Sequence, residues 1–144
     1  MSVDKSAPRV RRMFAEIAGR YDRLNHLLSL SLDRYWRWQA TRRAPAEGGL
    51  PVLDLCTGTG DLALSYRRHV AAEIPVIGAD FCHEMLVCGT HKVSAEKPIL
   101  WVEADAEALP FPEASFQLVS VAFGLRNIAD TDRGLAEMAR VCAP

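Results

Sequence analysis

The apolar positions change their period part-way along the chain. Over residues 8–19, Val10, Met13, Phe14 and Ile17 recur at the i, i+3, i+4, i+7 spacing of one helix face, with Arg9, Arg11, Arg12 and Glu16 on the others. Gly19 is a plausible stop for that helix. Leu24, Leu27 and Leu28 keep the helical spacing in a second stretch, and a third, over 33–41, carries Tyr35, Trp36 and Trp38. The run 45–51, bounded by Pro45 and Pro51 and holding Gly48 and Gly49, is a linker by composition. Past it, short apolar runs alternate with helical ones. Strands are expected at 52–55, 75–79, 99–102 and 116–123, and helices at 62–70, 84–93 and 131–141. Such alternation predicts an α/β fold, a parallel sheet covered by helices on both sides. The chain thus divides into a helical arm, 1–45, and an α/β domain, 46–144.

Charge follows the same division. The chain carries 17 Lys/Arg and 18 Asp/Glu; ten of those cations and only four of the anions fall in residues 1–45. A basic arm on an acidic body suggests that the arm has a partner of its own. Four cysteines (Cys56, Cys82, Cys88, Cys142) at irregular spacing, with no secretory signal before them, argue against a disulfide framework and for a reducing, cytoplasmic setting. Cys82, His83, Cys88 and His91 lie close in sequence, but they lack the Cys-x-x-Cys spacing of structural zinc sites, so no metal is expected. No apolar run reaches the length of a membrane span.

Ligands of open α/β sheets bind outside the carboxyl ends of the strands. The first strand runs into Asp54-Leu55-Cys56-Thr57-Gly58-Thr59-Gly60-Asp61. Two glycines in a tight turn let the backbone approach a ligand closely, and the following helix offers free N–H groups. Gly58-x-Gly60-x-x-Ala63 also fits a dinucleotide fingerprint, with Asp80 about 20 residues on. Three acids shift the balance toward S-adenosylmethionine. Asp54 suits an ammonium rather than a pyrophosphate. Asp80, closing the second strand, can accept two ribose hydroxyls. Asp105, before Ala106 at the third strand end, can accept from an adenine amino group. The bland alternative, that acids here cap helices, suits Asp61 and Asp130.

Several longer motifs extend this. Met13-Phe14-x-x-Ile17-Ala18-x-x-Tyr21-Asp22-x-x-Asn25 and Leu32-Asp33-x-x-Trp36-Arg37 resemble the N-terminal motifs of the ubiquinone/menaquinone biosynthesis C-methyltransferases. The run Val52 to Asp61 resembles their nucleotide loop. Asp105-Ala106-Glu107-Ala108-Leu109-Pro110-Phe111 and Phe123-Gly124-Leu125-Arg126-Asn127 resemble their two most distinctive later motifs. The resemblance implies a Rossmann-like class I methyltransferase sheet behind an N-terminal helical lid. It also implies cofactor contacts at Thr59, Asp80, Asp105, Ala106 and Ala122. At Ala122 many relatives have Ser, so a contact there runs through the backbone. His83 stands where relatives often have Pro or Ser, and Cys142-Ala143-Pro144 where they usually have Leu-Lys-Pro. Relatives continue through three more strands, so the sheet is expected to lack its last strands. The strand at 116–123 would then have an open edge capable of self-association.

The resemblance further implies C-methylation of a polyprenylated quinol ring, demethylmenaquinol to menaquinol, with the ubiquinone-pathway benzoquinol as the alternative. A cofactor-binding fragment without full activity and an NAD-dependent oxidoreductase are the other readings. A quinol ring carbon attacks once a neighbouring hydroxyl is ionised, and a cation beside that oxygen stabilises the phenolate. Arg126 is the candidate, with Asn127 beside it; a structural ion pair is the competing role for Arg126. Tyr21 and Asp22 are candidates to close the pocket, Asp22 also as the base for the ring proton. The arm's arginines, leucines and tryptophans suit peripheral contact with the inner face of a membrane, where the quinol's tail resides. No nucleic-acid partner is expected.

Overall fold

The computed structural model describes residues 7–30 and 32–144. Two helices, α1 (Ala7–Leu28) and α2 (Leu32–Arg43), precede four short strands, β1 (Val52–Leu55), β2 (Val76–Asp80), β3 (Leu100–Glu103) and β4 (Leu118–Val121). Helices α3 (Asp61–His69) and α4 (His83–Thr90) follow β1 and β2; a 3-10 turn (Phe123–Asn127) and α5 (Thr131–Val141) follow β4. All strand pairs are parallel, in the order β3-β2-β1-β4.

β1 lies inside the sheet and every one of its residues is buried, as a near-continuous apolar run in a parallel sheet requires. Its side chains alternate between two cores. Val52 joins Leu62, Ala63, Tyr66 and Val76 in one cluster; Leu53 and Leu55 join Ile77, Ala79, Phe116, Ile128 and Val141 in the other. The odd member is Asp54, a carboxylate 1% exposed in the middle of this strand.

Two elements differ from the sequence reading. The helix does not stop at Gly19: α1 runs through it to Leu28, and the first two expected helices are one. A glycine inside a helix costs only about 1 kcal/mol relative to alanine, and the apolar face continues past it from Phe14 and Ala18 to Tyr21. The chain turns after Leu28 instead, with Leu30 in the left-handed region at φ 49°. The fourth strand is also shorter than 116–123. Phe116 forms an isolated parallel bridge with Cys142, the Ala143 N–H donating to its carbonyl at 2.8 Å, and Phe123 already belongs to the 3-10 turn.

A candidate cofactor cleft at the strand ends

A cleft of about 470 Å³ opens where β1, β2 and β4 deliver their carboxyl ends, within the range of about 300–1,000 Å³ for small-molecule sites. One wall is α1, through Met13, Phe14, Ile17, Tyr21 and Asn25; the floor is the loop Cys56–Thr59 with Asp80; the far rim is the turn holding Phe123, Arg126 and Asn127.

The floor has its shape because three residues adopt left-handed backbone: Cys56 (φ 51°), Gly58 (φ 58°) and Gly60 (φ 81°). Gly58 faces the cleft. Gly60 is not among the lining residues; it turns to the opposite side, where a Cβ would meet the Trp101 ring at 2.2 Å. The 3-10 turn approaches just as closely, since a Cβ on Gly124 would lie 2.2 Å from that of Cys56. Burial pushes the Cys56 thiol up to about 12, with Asp80, Asp54 and Asp105 adding to the effect, so it is no nucleophile.

The acids differ in their surroundings. Asp54 accepts the hydroxyls of Thr57 (2.6 Å) and Ser120 (2.8 Å). Burial nonetheless raises its carboxyl to about 6, with those hydroxyls and the Ala63 N–H opposing. Asp80 accepts the N–H of Gly58 at 2.8 Å and of Cys82 at 2.9 Å, so it ties the glycine loop to the start of α4; burial raises its pKa too, against those bonds. Asp105 is exposed, accepts the Glu107 N–H at 2.9 Å and lines the cleft beside buried Ala106. Ala122, exposed, lines the cleft as well.

Asp54, Gly58, Thr59, Asp80, Asp105, Ala106, Ala122, Tyr21, Arg126 and Asn127 therefore converge on one cleft. Asp22 stands apart: it is not a lining residue, and its oxygens are held by Lys92 Nζ (2.5 Å) and the Thr59 hydroxyl (2.5 Å). Asp130 caps α5, accepting the Arg133 N–H at 3.0 Å, but Asp61 caps nothing; it pairs with Lys92 and Arg37. Arg126 has no hydrogen bond or ion pair among the described residues, and its charge reaches Tyr21, whose phenol is raised by burial against the opposing pull of Arg37 and Arg126. Lys92 and Trp101 were not legible as site residues, because each acts through contacts that join distant segments.

Residues 1–144 fit the sequence model described as the ubiE/COQ5 methyltransferase family. The chain belongs to this family. A demethylmenaquinone methyltransferase of Deinococcus radiodurans is 47% identical over 94% of the chain, and a ubiquinone/menaquinone biosynthesis C-methyltransferase of Geobacter sulfurreducens 43% identical over 94%. The chain spans 56% and 54% of their respective lengths. Among solved structures, an S-adenosylmethionine-dependent methyltransferase of Mesorhizobium loti superposes with a TM-score of 0.62, at 28% identity over 75% of this chain and 48% of its own. Family and fold imply S-adenosylmethionine as cofactor, and the residues present fit it: a carboxylate closes β2, Asp105 lines the cleft beside Ala106, and Gly58 adds no Cβ to the floor.

Proposed function

We propose that this chain is the cofactor-holding part of a methyltransferase that methylates a ring carbon of a polyprenyl quinol, demethylmenaquinol first and the ubiquinone-pathway benzoquinol second. The observation that carries the reading is the cleft itself: acids from the ends of β1, β2 and β3 on one side, and an unengaged arginine, Arg126, on the other. S-adenosylmethionine, when bound, supplies a methyl group on a positive sulfur. Asp80 would hold its ribose, Asp105 and the Ala106 backbone its adenine, and Asp54 and the loop at Thr59 its amino-acid end.

The protein's own task is to bring the ring within reach and exclude water, worth about 7–11 kcal/mol when both partners are well oriented. Arg126 is the group available to stabilise the ionised quinol hydroxyl, with Asn127 to orient it. Phe14, Ile17 and Tyr21 give the ring an apolar wall. Asp22, already committed to Lys92 and Thr59, serves better as a positioning group than as a base.

Calorimetric titration with S-adenosylhomocysteine and NADH tests the cofactor assignment: heat with the first and none with the second is expected, and the reverse would replace the reading with an oxidoreductase. Arg126→Ala should cut turnover about tenfold to a hundredfold, less than a fully buried oxyanion donor because the guanidinium is exposed. Its affinity for S-adenosylhomocysteine should stay at the wild-type value; loss of both would move Arg126 into the cofactor site.

Contact with a lipid surface belongs to the same proposal. No helix among the described residues is long and apolar enough to cross a membrane. The α1–α2 corner nevertheless exposes Leu27 (71%), Leu28 (82%) and Leu30 (83%), together with Tyr35, Trp36 and Trp38. Arg20, Arg23, Arg34 and Arg42 lie in the same segment, each worth about 1 kcal/mol near an anionic surface. Flotation with vesicles containing phosphatidylserine should carry the protein up, and Leu28→Asp/Leu30→Asp should leave it at the bottom. Equal flotation of both proteins would remove the corner from the proposal.

A further inference from the structure

The two halves of α1 are held in different ways. Around Phe14, Ala18 and Tyr21 the attachment is apolar, against Cys82, Met85 and Cys88. Past Tyr21 the outward residues are bare, Leu24 44% and Leu27 71% exposed, and the inward contacts are polar: Asp22 with Lys92 and Thr59, and His26 with Asp33 at 2.8 Å. Gly19 lies in the helical turn just before this change, and a Cβ there would meet nothing within 4 Å.

We infer that Lys92 is a positioning residue that sets one wall of the cofactor cleft, clasping the second half of α1 to the glycine loop through Asp22 and Thr59. The inference rests on the cleft being the methyl-donor site. Lys92 follows α4, and its ammonium has three N–H donors. They go to Asp22 on α1 (2.5 Å), Asp61 at the start of α3 (2.7 Å) and the Thr59 hydroxyl (2.8 Å). The Thr59 hydroxyl in turn donates to the other oxygen of Asp22 at 2.5 Å, so its one proton and one of its two acceptor sites are committed. A chain of alternating charge continues from there: Asp61 to Arg37 at 3.2 Å, and Arg37 to Asp33 at 2.7 Å. Two segments distant in sequence, one at Asp22 and one at Thr59 and Asp61, thus share a cation from a third.

The Lys92 side chain is 24% exposed, Asp22 31% and Asp61 22%, so this is a partly buried network rather than an exposed pair. Without the ammonium, Asp61 keeps Arg37, but Asp22 keeps only the Thr59 hydroxyl and loses its cation, and breaking such a pair costs more than making it gains. The result would be release of α1 beyond Tyr21. Asn25, which lines the cleft from that half, would lose its register with the floor at Gly58 and Thr59.

Hydrogen exchange followed by mass spectrometry on the full chain, without ligand, tests the clasp directly. Lys92→Met keeps the apolar stem and removes the charge. It should speed exchange of amides 22–28 about tenfold, the mark of local opening, while 10–17 and the strands hold their rates. Asp22→Asn should produce the same local change, and the double variant no more than either single one, since both cut one link. Lys92→Arg should recover most of the protection, and Gly19→Ala, by stiffening the joint, should reduce the opening in the Lys92→Met background. In parallel, affinity for S-adenosylhomocysteine should fall several-fold in Lys92→Met and recover in Lys92→Arg. Unchanged exchange, a rise spread evenly over the chain, or additive effects in the double variant would each overturn the assignment. If the variants showed the local pattern but the wild type bound no S-adenosylhomocysteine, the cofactor reading would fall and the clasp would stand.

Discussion

Asp54→Asn should make the protein more stable above pH 6 and weaken its hold on the cofactor. Asp54 is 1% exposed in the strand at the centre of the sheet, and burial raises its carboxyl from an ordinary 3.8 to about 6. Keeping it ionised therefore costs the folded state about 3 kcal/mol, at about 1.4 kcal/mol for each pH unit. The sign follows from proton counting. Between pH 3.8 and 6 the folded chain binds a proton at this site that the unfolded chain has lost, so stability falls as pH rises through that window and stays at the lower level above it. Asparagine is neutral throughout. It has nearly the same shape and can keep the hydroxyls of Thr57 and Ser120 as partners. The variant should match the wild type near pH 4 and exceed it at pH 8 by about 2–3 kcal/mol, a rise in Tm of roughly 5–10 °C. Asp80, raised in the same direction, leaves a residual slope of the same sign in both proteins.

The affinity for S-adenosylhomocysteine moves the other way. The negative charge of Asp54 favours the ligand's ammonium, so wild-type affinity should decline as pH falls through about 6. The asparagine variant should bind about tenfold more weakly at pH 8, as expected for loss of one opposite charge in a shielded site, and show no such decline. Thermal melts and titrations at pH 4, 6 and 8 check both halves. A destabilised variant at pH 8 would mean that the carboxylate is kept for the fold rather than for a cation.

Asp54 could be picked out from sequence alone because an acid inside an apolar strand breaks the local pattern without a packing reason. Gly58 and Asp80 were legible for the same reason, each placed where the alternation of strand and helix puts a ligand. Local readings failed where tertiary contact decided the outcome. Gly19 reads as a helix stop, yet α1 continues because its apolar face has Cys82 and Met85 to meet beyond the glycine. Asp61 reads as a cap, yet Lys92 and Arg37 claim it. The clasp joins positions 22, 59 and 92, and no periodicity or spacing rule links residues 33 and 37 apart. Gly60 was read as a loop glycine, but its approach to the Trp101 ring, four elements on in the chain, was not legible.

That tryptophan gives the other large effect. Gly60→Ala should destabilise the protein by about 3–4 kcal/mol, combining a left-handed backbone penalty of about 1–2 kcal/mol with overpacking of about 1–3 kcal/mol. The backbone at Gly60 has φ 81°, and a Cβ there would lie 2.2 Å from Trp101 Cη2 and 2.7 Å from Cζ3. The ring has nowhere to go. Its other sides meet Gly78, where a Cβ would come within 3.2 Å, and Gly89, where it would come within 2.5 Å. Trp101 thus fills a slot made by three glycines from the loop after β1, from β2 and from α4. Its indole supports the underside of the turn whose upper side is the cleft floor. Trp101→Leu alone should cost stability by leaving part of that slot unfilled, but in the Gly60→Ala background it removes the clash. The double variant should therefore be more stable than the sum of the two single losses, by about 1–2 kcal/mol of coupling. Urea unfolding of the four proteins measures this. Strict additivity would mean that the loop at Gly60 and the Trp101 ring move independently, and that the floor of the cleft takes its shape from the backbone alone.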